Sequence, residues 1–363
     1  MERIETDILV IGGGSGGLSV AAGAVQMGAR VVLLEGHKMG GDCLNYGCVP
    51  SKALLASAAV AHGQGGNAAM GVDPGRASID YGKAKDFVAS VIGQIAPHDS
   101  VARYTSLGVE VVQGHATLCN PWTVEIKHPD GSLQRLSARS IVIAAGARPV
   151  VPALPGLAEA GYVTSDTLWA RFATLTAAPK RLLVLGGGPI GCELAQSFAR
   201  LGSQVTLVEQ APRLLLREDE EVSALVTAAL RADGVRVLTG HTALRCETAN
   251  GADAQLRTLV VSQDGQETAL PFDELLCAVG RVVESGRQIT LRLTSTHAHA
   301  AHAQALLTNL SLFLSGLKNT AEQLIPSQCW IRNVIWKPKK RVQKWIFPRR
   351  SLSMRPVIFG HQK

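Results

Sequence analysis

The stretch DILVIGGGSGGLSVAAGAVQMGARVVLLE, residues 7 to 35, decides the fold. The apolar run ILVI leads into a glycine turn in which Gly12, Gly14 and Gly17 have the spacing G-x-G-x-x-G. A helical apolar pattern follows, and a second apolar run ends at Glu35. Small residues let a backbone approach a pyrophosphate at a helix N-terminus, and the acid after the second strand reaches ribose hydroxyls. The stretch predicts a strand, a dinucleotide-binding turn, a helix and a second strand.

The same pattern recurs 174 residues later, in RLLVLGGGPIGCELAQSFARLGSQVTLVE, residues 181 to 209. Gly186, Gly188 and Gly191 repeat the spacing, and Glu209 again follows the first glycine by 23 residues. One such turn is weak evidence, because glycines also permit tight packing of a strand on a helix. Recurrence in register favours two nucleotide sites, for which a flavin and a nicotinamide are the natural pair.

The acid at position 209 also bears on the choice of nicotinamide. A carboxylate there hydrogen-bonds a free 2′-hydroxyl and repels a 2′-phosphate, so the sequence favours NADH over NADPH. Arg213, four residues further on, would soften this preference.

Two cysteines lie five positions apart in GGDCLNYGCVPSK, residues 40 to 52. Pro50 suits the first turn of a helix that SKALLASAAVAH continues, so Cys48 is expected beside the positive end of a helix dipole. A thiolate is favoured there. A zinc site would need two further ligands at suitable spacing, and the neighbouring sequence supplies no second Cys pair or His pair.

This cysteine stretch resembles the active-site signature of the flavin-dependent pyridine nucleotide-disulfide oxidoreductases. The resemblance covers about residues 5 to 281 and includes IVIAAGARPVVPALPG (141 to 156) and LLCAVGR (275 to 281). It implies an α/β fold with two Rossmann-like three-layer domains, the NAD(P) domain inserted into the FAD domain. A third, dimer-forming domain normally follows in the family, and we expect it to be missing here. The implied boundaries are 1–150 for the FAD-binding domain, 151–274 for the NAD(P)-binding domain, 275–281 for the start of the return to the FAD domain, and 282–363 for an atypical basic tail.

The resemblance also implies the catalytic residues. Cys43 and Cys48 would form a redox-active disulfide, with Cys48 facing the flavin and Cys43 exchanging with substrate. Five positions permit a strained, reducible bond, and such bonds are usually catalytic. Lys52 would lie near the reactive nitrogen of the flavin, and Glu193 would pair with Lys52 across the domain boundary and keep it charged.

FAD and NAD(H) are the cofactors that the resemblance implies, and no metal site is predicted. Asp42 stands where many family members have Thr, and an anion near the FAD phosphates needs a compensating donor or solvent. The implied cofactor-binding residues are Gly12, Gly14, Gly17, Glu35, Gly41, Asp42, Lys52, Ala116, Gly146, Gly186, Gly188, Ile190, Gly191, Glu209 and Gly280.

We therefore expect electrons to pass from NAD(P)H through FAD to the cysteine pair and on to a small-molecule disulfide or a soft metal ion such as Hg(II). Thiolates suit both acceptors, so lipoamide, glutathione and Hg(II) all stay open. A thioredoxin-reductase-like enzyme is disfavoured because its cysteines, spaced Cys-x2-Cys, lie in the nicotinamide domain. An inactive or nucleotide-binding-only fragment is the alternative, since the second FAD motif and the dimer domain are absent.

The motifs of the family end at Arg281, and we expect the likeness to stop there. Val282 and Val283 stand where the family continues through Pro-Asn, and no Gly-Asp pair follows. In THAHAAHAQ, residues 296 to 304, no Glu follows at the distance expected of a catalytic base. The histidine spacing also does not suit a metal, so a solvated polar stretch is expected there. The histidines concerned are His297, His299 and His302.

Charge separates the tail from the rest of the chain. Residues 282 to 363 carry 13 Lys/Arg against 2 acids, whereas the remainder carries 23 against 27. The segment KPKKRVQKWIFPRR, residues 337 to 350, interleaves basic and aromatic residues, which allows a nucleic-acid-binding alternative. We prefer the hypothesis of an out-of-frame or recombined ending, because the family pattern is lost where the charge changes.

Composition limits the remaining possibilities. A chain of 363 residues with 46% hydrophobic content predicts two or three domains. Seven thinly spread cysteines do not resemble a secreted disulfide framework, which favours the reducing cytoplasm. The N-terminus lacks a signal-peptide pattern and no apolar stretch has membrane-spanning length, so no membrane partner is expected. Family members are homodimers, but the missing domain leaves the oligomeric state open. Four other cysteines are interpreted as core thiols: Cys119, Cys192, Cys246 and Cys277.

Overall fold

Two sheets built mainly of parallel strands organise the part of the chain that the computed structural model describes, residues 5–64, 78–248 and 257–283. The chain divides into two compact units, residues 1–291 and 292–363, and every described residue belongs to the first. The predictions for the basic tail beyond residue 283, including those for its histidines, lie outside the described residues.

The first sheet has six strands in the order β3-β2-β1-β6-β5-β4. Strands β3, β2, β1 and β6 are parallel, and β4, β5 and β6 form an antiparallel meander. The elements of this half are β1 (Thr6–Ile11), α1 (Ser15–Gln26), β2 (Val31–Glu35), α2 (Gly41–Asn45), α3 (Cys48–Gly63), α4 (Tyr81–Ile95), a short 3-10 helix (Ala96–Asp99), α5 (Val101–Ser106), β3 (Glu110–Gln113), β4 (His115–Asn120), β5 (Thr123–Lys127), β6 (Leu133–Ile143) and the outgoing strand β7 (Ala147–Pro149).

The second sheet has five parallel strands in the order β11-β10-β9-β15-β8, and β12, β13 and β14 form a separate antiparallel meander. The elements of this half are α6 (Leu157–Ala160), β8 (Val163–Thr164), α7 (Leu168–Ala173), β9 (Arg181–Leu185), α8 (Pro189–Arg200), β10 (Gln204–Glu209), α9 (Glu220–Ala232), β11 (Arg236–Thr239), β12 (Thr242–Thr248), β13 (Arg257–Gln263), β14 (Gln266–Phe272), β15 (Glu274–Cys277) and β16 (Arg281–Val283).

The internal repeat is larger than the glycine motif that reveals it. In each half, a strand, a glycine turn, a helix and a parallel strand are followed later by an antiparallel meander and by a strand that pairs with the first one. That later strand is β6, the last strand of the meander, in the first half and β15 in the second, and each is followed directly by an alanine and, two residues further on, by a glycine. The predicted α/β fold with two Rossmann-like three-layer halves is confirmed.

Alternate side chains of each strand point to opposite faces of the first sheet, and each face packs against its own layer of the core. Val10 and Leu33 point into a core with α1, whereas the neighbouring Leu9 and Leu34 point into a core with Val124 and other residues of the meander. Successive strand residues face opposite sides of a sheet, so the parallel strands are covered on both faces.

The core of the second half includes helices from the first. Ala53, Leu54 and Ala58 of α3 belong to the same buried cluster as Leu194 and Phe198 of α8. The helix that begins at the second cysteine therefore packs against the helix that begins at the second glycine turn. This packing places the predicted catalytic residues of both helices in one region.

The outgoing strands of the two halves pair with each other. Strands β7 and β16 are antiparallel, with Val282 opposite Arg148, and the amide of Val150 donates to the carbonyl of Gly280 at 2.9 Å. The ordered pairing therefore continues past Arg281, because strand pairing uses backbone groups that the unexpected valines supply as well as other residues do.

None of the helices in the described part of the chain combines the length and apolar character needed to cross a membrane.

Candidate active site

The first and third glycines of each turn are required by packing. A Cβ on Gly12 would lie 2.3 Å from the carbonyl oxygen of Ala144, and one on Gly17 would lie 1.8 Å from that of Gly12. In the second turn the corresponding distances are 2.4 Å for Gly186 and 2.0 Å for Gly191. Backbone atoms cannot yield as a flexible side chain does, so these four positions admit only glycine in this geometry.

The middle glycines, Gly14 and Gly188, differ. Each directly precedes its helix, and there is open space where a side chain would stand. A Cβ on Gly188 would have nothing within 4 Å, and the atom nearest to one on Gly14 is a Cα at 3.7 Å. The first amides of α1 and α8 have no partners within their helices, and the helix dipole favours an anion there. Both turns therefore fit the pyrophosphate of a dinucleotide.

The acids at the ends of β2 and β10 bind their own glycine turns. Glu35 accepts hydrogen bonds from the amides of Gly13 and His37, each at 2.6 Å. Glu209 accepts from the amides of Gly187 and Ala211 at 2.6 and 2.7 Å. A carboxylate oxygen has two lone pairs, so these bonds leave room for the ribose contacts that the sequence predicts.

The cysteine loop is attached to the first glycine turn. Gly40 donates its amide to the carbonyl of Gly13 at 2.8 Å, and a Cβ on Gly41 would lie 2.6 Å from the Cα of Gly14. Both loop glycines have positive φ, 82° and 55°. The loop therefore lies against the place where a cofactor pyrophosphate fits.

The two thiols shift each other's pKa in opposite directions. Both are free, Cys43 is half-buried, and Cys48 is exposed at the first position of α3, as the sequence predicts. Cys43 donates to Cys48, and this bond is the main cause that lowers the pKa of Cys48 to about 6; Lys52 lowers it further. The same bond, together with burial, raises the pKa of Cys43. The pair therefore combines a thiolate with a thiol that holds its proton.

Lys52 and Glu193 form the contact that the resemblance implies. The Nζ atom of Lys52, one turn after Cys48 on α3, lies 2.6 Å from Oε2 of Glu193 on α8. The two side chains are 59% and 37% exposed, so the pair contributes little to stability and serves mainly to hold the lysine near the thiols.

Asp42 has the compensating donor that its position requires. Burial raises the pKa of its carboxyl group, and the Arg281 guanidinium, 3.3 Å from Oδ1, opposes that rise. Arg281 also donates to Ser165 Oγ at 3.0 Å and to the carbonyl of Ala147, and it lies 3.4 Å from Asp166. The sequence indicated no role for Arg281, because its partners are 115 or more residues away in the chain.

The remaining predicted cofactor residues lie around the two turns. Ala116 is on β4, where His115 packs against Gly36 after the end of β2. Gly146 and Gly280 follow β6 and β15 with positive φ and open space at the Cβ position. Ile190 is in the first turn of α8 and packs partly against the core.

The interpretation of the other cysteines needs one correction. Cys192, Cys246 and Cys277 are buried, but Cys119 is exposed. Cys119 lies on β4 at the edge of the first sheet, where the side chains of one face meet solvent. Within the described ranges, no group of three or more His, Cys, Asp or Glu side chains is arranged to hold a metal ion.

The described residues thus combine two repeated glycine turns and a pair of cysteines in one α/β fold. The sequence profile of the family described as pyridine nucleotide-disulphide oxidoreductase matches residues 6–298, and the chain belongs to this family. The match extends past Arg281, to residue 298.

Relatives include enzymes of different substrate classes. The mercuric reductase of Bacillus cereus is 33% identical over 275 residues, which are 76% of this chain and 42% of that protein. The dihydrolipoyl dehydrogenase of Pseudomonas aeruginosa is 36% identical over 281 residues, 77% of this chain and 58% of that protein. The chain thus spans about half the length of these curated relatives.

A solved structure with a similar fold is that of the HOCl-induced flavoprotein disulfide reductase RclA from Escherichia coli. It has a TM-score of 0.62 and 26% identity, and the similarity covers 77% of this chain and 57% of that one.

Proposed function

We propose that this chain is the electron-transferring part of an FAD-dependent NAD(P)H oxidoreductase that reduces a disulfide or a soft metal ion. The observation that carries the proposal is the Cys43–Cys48 pair, whose loop lies against the first glycine turn; the pKa of Cys48 is lowered to about 6. Family membership and the two nucleotide-type turns support the same conclusion.

In this proposal FAD lies at the first turn, held by Gly12, Gly14 and Glu35, and NAD(H) at the second, held by Gly188 and Glu209. Bound FAD supplies the two-electron relay from the nicotinamide to the sulfur pair. Lys52, held in place by Glu193, stabilises the Cys48 thiolate that faces this relay.

The sulfur pair then serves the acceptor. As Cys43 attacks a disulfide substrate, its proton passes along the hydrogen bond to Cys48, and one substrate thiolate leaves. Cys48 then attacks Cys43, which forms the Cys43–Cys48 disulfide and releases the second substrate thiolate; its proton goes to solvent or to a leaving thiolate. Two electrons from NAD(P)H restore the dithiol. A soft metal ion would instead bind both sulfurs and accept the two electrons.

NADH is the preferred nicotinamide in this proposal. Glu209 would repel a 2′-phosphate, and Arg213 is not free to attract one. The guanidinium of Arg213 donates to the backbone carbonyls of Leu215, Leu216 and Glu218 at 3.0 to 3.3 Å. Tighter binding of NADPH than of NADH to the purified chain would overturn this preference.

Anaerobic titration of the FAD-loaded chain with NADH tests the proposal. We expect more than one hydride equivalent to be taken up, two thiols to appear, and a long-wavelength thiolate–flavin band to develop. Cys48→Ser should abolish the band, whereas Cys119→Ser, which removes an exposed cysteine outside the pair, should leave it unchanged. Bleaching of the flavin without release of thiols would contradict the proposal.

The acceptor and the location of the enzyme are further parts of the proposal. Lipoamide, glutathione disulfide and Hg(II) can be compared in one assay of NADH oxidation. If none of them accelerates NADH oxidation, disulfides and soft metal ions are excluded as acceptors. We place the reaction in a reducing cytoplasm, because the thiolate at Cys48 and the exposed Cys119 suit a compartment in which thiols persist.

A further inference from the structure

A tryptophan from the second half of the chain contacts the backbone between the two cysteines. The indole Nε1 of Trp169, on α7, donates to the carbonyl oxygen of Tyr46 at 2.6 Å, although 123 residues separate them. We propose that Trp169 is a positioning residue for the thiol pair, which holds the peptide before Cys48 in the orientation that the pair requires. Only the effect of Trp169 on turnover rests on the proposed function.

The contact fixes one particular peptide unit at both ends. The carbonyl of the Tyr46–Gly47 peptide accepts from Trp169, and its amide, on Gly47, donates to the carbonyl of Asp42 at 2.7 Å. Gly47 directly precedes Cys48 with φ −110° and ψ −102°, a backbone conformation outside the ordinary strand and helix regions. The orientation of this peptide therefore determines where Cys48 lies relative to Cys43.

Trp169 is itself held firmly. Its ring meets Phe172 edge-on at 6.3 Å, and Phe172 meets Phe198 of α8 at 4.5 Å. Both phenylalanines are buried. A continuous run of rings thus connects the helix of the second glycine turn to the backbone between the cysteines.

A second attachment lies on the other side of Cys43. Arg281 reaches Asp42, the residue before Cys43, while Trp169 reaches Tyr46. The thiol pair is consequently held from the second half of the chain at two points. Trp169 is the one that acts without charge, so its removal tests position separately from electrostatics.

Trp169→Phe removes the donor and keeps an aromatic ring against Phe172. The experiment measures the rate of iodoacetamide alkylation of Cys48 against pH, on the full chain reduced with dithiothreitol, by mass spectrometry of the cysteine peptide. Trp122→Phe, at an exposed tryptophan beside the first meander, is the control. The neighbouring charged groups are present in all three proteins: Asp42, Lys52, Asp99, Glu193 and Arg281.

We expect the midpoint of the profile to rise by about one pH unit in Trp169→Phe, because the Cys43–Cys48 hydrogen bond that lowers the pKa of Cys48 is loosened. At pH 6 the alkylation rate should fall about fivefold, while the plateau at high pH stays the same. Trp122→Phe should match the wild type. An unchanged midpoint in a folded Trp169→Phe chain would overturn the proposal.

The wild-type chain offers a second measurement that needs no folded variant. With 15N-labelled tryptophan, one slowly exchanging indole N–H signal should shift when the cysteine pair is oxidised, since its acceptor lies between the two sulfurs. No indole shift on oxidation would refute the positioning role. Neither measurement uses NADH, so each can succeed where the titration of the proposed function fails.

Discussion

At the scale of single residues, Cys48 shows how local and distant groups combine at one sulfur. Its place at the start of α3 follows from the local sequence, in which Pro50 occupies the first turn. The thiol of Cys43 and the charge of Lys52 then lower its pKa, while burial and Asp42 act in the opposite direction. The effects of Cys43 and Lys52 outweigh those of burial and Asp42, so Cys48 is mainly a thiolate at neutral pH.

The hydrogen bond from Cys43 is the largest of these contributions, so removing its donor should have the largest effect. In Cys43→Ala the pKa of Cys48 should rise from about 6 toward its ordinary value of 9.0. The thiolate is lost as the pH falls through the pKa, so alkylation of Cys48 at pH 7 should slow on the order of tenfold. A pH–rate profile measures this change, and an unaltered midpoint would show that the hydrogen bond is unimportant.

Lys52→Gln should act in the same direction but less strongly. The charge of Lys52 lowers the pKa of Cys48 by a smaller amount than the Cys43 donor does. The midpoint in Lys52→Gln should therefore lie between those of the wild type and Cys43→Ala. High salt should raise the midpoint in proteins that retain Lys52 and leave that of Lys52→Gln unchanged. Lys83→Gln, an exposed lysine on α4, is the matched control. Equal midpoints in Lys52→Gln and Cys43→Ala would contradict this order.

At the scale of elements, the glycine turns separate what folding needs from what binding needs. Gly191 packs against a backbone carbonyl, whereas Gly188 faces open space. The two positions are three residues apart in one turn, so substitutions there compare the two requirements in almost the same surroundings.

Gly191→Ala should reduce the free energy of unfolding by on the order of 2 kcal/mol or more, since its Cβ would lie 2.0 Å from the carbonyl oxygen of Gly186. Gly188→Ala should change that free energy by less than about 0.5 kcal/mol but weaken NADH binding, because the methyl group would occupy the space of the ligand. Urea denaturation and NADH titration measure both quantities. Normal NADH affinity in Gly188→Ala would contradict a nucleotide site at this turn.

Elements and residues whose form depends on nearby sequence could be predicted. The glycine turns, the acids that follow them and the start of α3 all follow from patterns within about 30 residues. The contacts of Trp169 and Arg281 could not, because tertiary packing alone brings their partners together. Cys119 was misjudged for a related reason: an apolar neighbourhood in the sequence does not reveal that β4 lies at a sheet edge.

At the scale of the whole molecule, the two halves share a core. Leu54 of α3 and Phe198 of α8 belong to one buried cluster, although the sequence assigns them to different domains. A cluster that includes helices from both halves couples their stability, so we expect the described residues to unfold as one cooperative unit.

Leu54→Ala tests this coupling. Leu54 is 3% exposed, and its truncation should cost about 2–5 kcal/mol. Hydrogen exchange should show the same loss of protection in β1 of the first sheet and β9 of the second. Val60→Ala, at a 68% exposed position on the same helix, should change stability by less than about 0.5 kcal/mol. Loss of protection in one sheet alone would show that the halves unfold independently.

The pairing of β7 with β16 has a consequence for how such a chain is assembled. The backbone leaves the β7–β16 strand pair at Pro149 and rejoins it at Arg281, and these two residues are partners in the same ladder. The residues between them therefore form an insertion whose two ends meet. An ancestral protein could gain or exchange this insertion as a unit without changing how the strands on either side are connected.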